Sequence, residues 1–116
     1  MSLIKDTLFL LESPFRDDKL PGQIFYCPYC AQLEGALMSI ERPATLDVVR
    51  VAFPRPRSSV VDLIGDANQS LPTLVLADDA PAHLATGDWN GQRFTKGNDA
   101  ILRVLSERHG YPEPHP

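Results

Sequence analysis

Cys27 and Cys30 are the residues of this 116-residue chain whose type and spacing point to covalent chemistry. In Cys27-Pro28-Tyr29-Cys30 a single helical turn separates two thiols. The thiolate is the reactive form of cysteine, and the free N–H groups and dipole of a helix N-terminus stabilise such an anion. Cys27 is expected at or just before a helix start. Cys30, one turn further in, is expected to be more buried and close enough to resolve a mixed disulfide formed at Cys27. Three other uses of the pair stand beside this one. The thiols can be structural or incidental. A structural zinc site wants four ligands, and His83, His109 and His115 have no ligand spacing with the pair. A cluster shared between two chains needs thiolates from each.

The elements that must position the pair follow from pattern. Asp6 to Glu12 is a short apolar run ended by Ser13-Pro14, and its length favours a buried strand. Residues 13–26 hold Pro14, Arg16, Asp17, Asp18, Lys19, Pro21 and Gly22, a long loop of the kind that is functional or mobile in compact domains. Cys27 to Ile40 reads as a helix, with Leu33, Ala36, Leu37 and Ile40 on one face and Pro28 in the first turn. Leu46 to Phe53 is β-branched and reads as a second strand, broken by Pro54-Arg55-Pro56-Arg57. Ser58 is expected to cap a short helix through Ile64, terminated by Gly65. Leu71-Pro72 opens a third strand, Thr73 to Ala77. Asn90-Gly91 is a hairpin signal, with Gln92 to Lys96 returning and Trp89 packing at the rim. Asn98 is expected to cap a last helix closed by His109-Gly110. The order β-α-β-α-β-β-α predicts an α/β fold with a mixed four-stranded sheet and helices on both faces, its first crossover right-handed.

Composition narrows the function classes. Lys+Arg number 11 against 15 Asp+Glu, a net charge of −4, which argues against a nucleic-acid binder. Apolar residues make up 43% of the chain, enough for a buried core and too many for wholesale disorder. No apolar run approaches the ~20 residues of a membrane span, and none resembles a signal peptide, so the expected compartment is the cytoplasm. Two thiols cannot make the multi-bridge framework of a small secreted domain. The organisation expected is one domain over residues 1–110 and a proline-rich tail over 111–116. The histidines read as ordinary, His109 lying near a helix C-terminus where a cation is mildly favoured.

At this point the chain resembles a known group. Cys27-Pro28-Tyr29-Cys30 resembles the active site of dithiol glutaredoxins, and the element order resembles the thioredoxin fold. Leu71-Pro72-Thr73-Leu74-Val75 looks like the segment that opens the third strand there with a cis-proline. The stretch from Phe94 to Arg103 is similar to the glutathione-recognising turn and helix of glutathione transferase N-terminal domains. The resemblance runs from Asp6 to Gly110. It departs from the pattern in the longer loop before Cys27, in Gly97-Asn98 at the start of the last helix, and in the absence of a transferase's all-helical second domain.

The resemblance implies a thiol–disulfide oxidoreductase acting on protein disulfides or glutathione mixed disulfides, with Cys27 and Cys30 catalytic. No cofactor is tightly bound and no metal is held; glutathione is the expected co-substrate. A cis bond before Pro72 leaves the Leu71 backbone to pair with an extended thiol peptide, and Pro72 keeps metal ions from the thiols. Asn98, Asp99 and the helix N-terminus receive the γ-glutamyl end, and Arg55 or Arg57 a carboxylate. Tyr29 stacks on the substrate or only shapes the turn; Arg55 and Arg57 are otherwise solvated surface charges. The second reading is a non-catalytic binding or redox-sensing module, in which a Cys27–Cys30 bond moves the 13–26 loop.

Overall fold

The computed structural model describes residues 3–116. Five strands form one sheet in the order β2-β1-β3-β5-β4. They are β1 (Asp6–Leu11), β2 (Leu46–Val51), β3 (Thr73–Val75), β4 (Gly87–Trp89) and β5 (Gln92–Lys96). The helices are α1 (Pro28–Leu37), α2 (Ser58–Ile64) and α3 (Asn98–His109). Two 3-10 turns, Asp66–Asn68 and Ala82–Leu84, lie in the connections.

The mixed α/β sheet is as expected, but it has five strands, not four. The extra strand is β4, the near arm of the Asn90-Gly91 hairpin, which pairs antiparallel with β5. It escaped the pattern because Gly87-Asp88-Trp89 is too short and too polar to alternate. Only its partner identifies it.

β1 is buried along its whole length, as a central strand must be. Its side chains alternate between two cores. Leu8 and Leu10 face a cluster with Leu33 of α1 and Ile101 and Leu105 of α3. Phe9 faces the other side, with Val60 and Ile64 of α2, Val75 and Phe94. Helices therefore cover both faces of the sheet.

The helix ends differ from expectation in detail. Gly97, not Asn98, takes the cap position of α3, and Arg57, not Ser58, that of α2. In each case the predicted residue is the first helical one. α1 ends at Leu37, short of the expected Ile40, because Ser39 Oγ and N turn back onto the Ala36 carbonyl. Tyr111 is 3% exposed and packs into the α1/α3 core, so the exposed tail begins after it.

Strand directions bring four segments to one edge of the sheet. β1 and β2 run parallel, Leu11 beside Val51, so both end there. β3 is antiparallel to β1 and begins there, with Thr73 opposite Phe9. β5 is antiparallel to β3 and ends there, with Lys96 opposite Thr73.

Candidate functional site

Cys27 lies where the 13–26 segment meets α1 and is itself the N-cap of that helix. Its backbone is extended and Pro28 follows at the first helical position, where the missing N–H costs nothing. The Cys30 N–H donates to Cys27 Sγ at 3.2 Å, so sulfur takes the part that a Ser or Asp oxygen plays at an ordinary cap. Cys27 is 8% exposed and Cys30 2%, the order expected of an attacking and a resolving thiol.

Cys30 Sγ accepts a hydrogen bond from the Leu11 N–H at 3.4 Å, which anchors it to the end of β1. Burial pushes the Cys30 thiol up to about 12; the Leu11 donor works against that shift, while Cys27 and then Glu34 add to it. Cys30 thus holds its proton at neutral pH. The pair is asymmetric, with a helix-start donor aimed at one sulfur and the other sulfur kept neutral in the core.

Tyr29 points away from this core and is 67% exposed. It borders an open cavity of about 680 Å³ that also meets Leu71, Pro72, Asn98 and Asp99. Five of the seven residues expected to meet substrate therefore share one wall. The Leu71–Pro72 bond is cis. Asn98 does not hang free in the cavity: its Nδ2 donates to the Tyr29 carbonyl at 3.0 Å and to Gln32 Oε1 at 2.6 Å. Asn98 so ties the first turn of α3 to the first turn of α1. Asp99, beside it, is exposed.

The two arginines part company. Arg55 is exposed and does not line the cavity, although its charge reaches Lys96. Arg57 is buried, with Nε and Nη2 on the Phe53 carbonyl at 3.0 and 2.6 Å and Nη1 on the Gln69 carbonyl at 2.8 Å. Its donors are turned inward, away from any bound carboxylate.

Sequence reasoning missed Lys96, which lines the cavity beside Pro72. Its Nζ reaches the Ser70 carbonyl at 2.9 Å and Thr73 Oγ1 at 2.6 Å, clamping the segment around Pro72. Burial, and then the charge of Arg55, pull the ammonium down to about 8. The signal was the Thr73–Lys96 register, which no local pattern contains.

The 13–26 segment is a built hairpin. Phe15 and Phe25 exchange backbone hydrogen bonds at 2.9 and 2.8 Å. The Phe15 ring stacks on Phe53 at 4.5 Å and 8°. Among the described residues no group of three or more His, Cys, Asp or Glu side chains is arranged to hold a metal ion. No helix among them is long and apolar enough to cross a membrane.

A family model described as "Protein of unknown function (DUF3088)" matches residues 5–113, and the chain belongs to that family. No curated protein and no solved structure matches the chain.

Proposed function

We propose that this member of the DUF3088 family is a small thiol–disulfide oxidoreductase of glutaredoxin type on a thioredoxin-like fold, acting through Cys27 and Cys30. The observation that carries the reading is the Cys30 N–H donating to Cys27 Sγ at a helix start, with Cys30 Sγ buried behind it. A donor fixed on sulfur favours the anion, and the anion is the nucleophile.

The Cys27 thiolate attacks one sulfur of a disulfide; a mixed disulfide forms and the other sulfur leaves as a thiolate that takes up a proton. Cys30 then gives up its proton and attacks Cys27 Sγ. The Cys27–Cys30 bond forms and the second substrate thiolate leaves. Glutathione can instead attack a glutathione mixed disulfide on Cys27, returning the Cys27 thiolate and releasing glutathione disulfide. Tyr29, Leu71 and Pro72 form the groove for the substrate chain, Asn98 and Asp99 face its amino end, and Lys96 meets a carboxylate.

The test is glutathione-dependent reduction of a small mixed disulfide by wild type, Cys27→Ser and Cys30→Ser. Turnover lost in the first variant and kept in the second assigns a monothiol cycle, and turnover that needs both assigns a dithiol cycle. No turnover by the wild type overturns the reading in favour of a binding or sensing module.

A further inference from the structure

The outer edge of β2 carries open hydrogen-bonding groups. β2 stands at one end of the sheet and pairs only with β1. The Val51 carbonyl accepts from the Glu12 N–H at 2.8 Å and so points toward β1. Backbone groups alternate in direction along a strand, so those of Val49 also point inward and those of Leu46, Val48 and Arg50 outward. In agreement, Arg42 Nη1 donates to the Leu46 carbonyl. The N–H and C=O of Val48 and Arg50 are left without a partner among the described residues. Natural edge strands are commonly blunted by a proline or a bulge. β2 contains no proline, and its register with β1 is unbroken from Leu46 to Val51.

The side chains beside these groups form a self-complementary surface. Val48 and Arg50 lie on the α1 face, where Arg50 Nη2 and Nε meet Glu34 Oε1 and Oε2 at 2.6 and 2.9 Å. A cavity of about 310 Å³ is lined there by Val48, Glu34 and Met38, the last 84% exposed. Val49 lies on the opposite face, outside both core clusters and 37% exposed.

We propose that this edge binds the same edge of a second copy of the chain, antiparallel about a two-fold axis at Val49, and that Arg50 of each copy enters the other's cavity to meet Glu34. The register follows by elimination. A pairing centred on Asp47 sets two carboxylates face to face, and one centred on Arg50 two guanidinium groups; like charges directly opposite are unfavourable. Centring on Val48 needs the Leu46 carbonyl, which Arg42 already holds. Centring on Val49 sets each Val48 opposite the partner's Arg50, and these residues exchange the backbone hydrogen bonds that each has free. The two Val49 side chains then cover one another. The partner's Arg50 faces Glu34, whose carboxylate has lone pairs to spare beyond its own Arg50. The contact is isologous, as a two-fold requires. Because the strands run antiparallel, the two thiol sites lie at opposite edges of the joined sheet.

The experiment is sedimentation velocity of the full chain in excess reductant, from about 5 to 500 µM, since an edge contact of this kind belongs to weak association. The wild type should pass from 12.8 kDa toward twice that mass as concentration rises. Val49→Lys puts two ammonium groups on the axis and should weaken association by about tenfold or more, whereas the uncharged, β-branched Val49→Thr should keep the dimer. Glu34→Arg and Arg50→Glu should each be monomeric alone. An equimolar mixture of those two should form a mixed dimer by native mass spectrometry, because each arginine of the first then faces a carboxylate of the second. A wild type that stays monomeric throughout overturns the proposal. So does a dimer that Val49→Lys leaves intact, which would place the contact elsewhere, and so does a mixture of the charge variants that stays monomeric.

Discussion

The replacement Asp6→Asn tests how the fold holds α3 against the start of β1. Asp6 is fully buried at the first position of β1 and accepts from the Ala77 N–H at 2.8 Å. It also receives Arg108 Nε at 2.7 Å and His109 Nε2 at 2.7 Å from the last turn of α3. A carboxylate only accepts, so Nε2 carries the hydrogen, and His109 Nδ1 is left to meet Thr45 Oγ1 at 2.8 Å. Burial alone would push the Asp6 carboxyl up. The hydrogen bonds from His109, Arg108 and Ala77, with the charge of Arg108, outweigh it and bring the group from an ordinary 3.8 down to about 2. A shift of that size is worth about 2 kcal/mol of stability, at roughly 1.4 kcal/mol per unit. Because the folded value is the lower one, this stability is present above pH 4 and is lost as pH falls through about 2. Breaking one partner of a buried pair costs about 3–5 kcal/mol, so Asp6→Asn should lose about 3 kcal/mol at pH 7. Urea unfolding followed by Trp89 fluorescence measures both quantities. The gap between wild type and variant should narrow by about 2 kcal/mol between pH 5 and pH 2. Cys27 alkylation should be unchanged, since the network sits one strand length, roughly 17 Å, from the thiols. A loss under about 1 kcal/mol, or parallel pH curves for the two proteins, would refute the reasoning.

Two further predictions concern the other face and the cavity. Gly65 ends α2 at φ 86° and ψ 164°, and a Cβ there would come within 2.6 Å of Trp89 Nε1. Gly65→Ala should therefore cost about 2–3 kcal/mol in a urea titration and alter Trp89 emission, whereas a neutral variant would mean that the ring moves aside freely. Lys96 loses its charge as pH rises through about 8. If it receives a substrate carboxylate, the KM for glutathione should rise above that pH in the wild type, and Lys96→Gln should show a high, flat KM; a wild-type KM that does not change with pH removes Lys96 from that role.

What sequence alone determined here is local. Cys27 as a helix cap, Pro28 at the first helical position and the Asn90-Gly91 turn each depend on residues a few positions apart, and all stand in the structure. Chain order and strand direction also foretold that Cys27, Pro72 and the start of α3 converge at one sheet edge. Tertiary structure alone decided the rest. Asn98 was legible as a residue of the α3 start, but its partners are Tyr29 and Gln32 on a different helix. Arg57 looked like a surface cation in a proline-rich linker, and only the packing of Phe53 and the carbonyl of Gln69 bury it. Asp6 and His109 stand at opposite ends of the chain and read as ordinary until the fold presses them together. β4 has too few residues to carry a pattern, and pairing with β5 makes it a strand. The division has one physical cause. Caps and turns are satisfied by atoms within a turn or two of the same backbone, whereas a buried charge or a short edge strand is satisfied by whatever the rest of the chain brings to it.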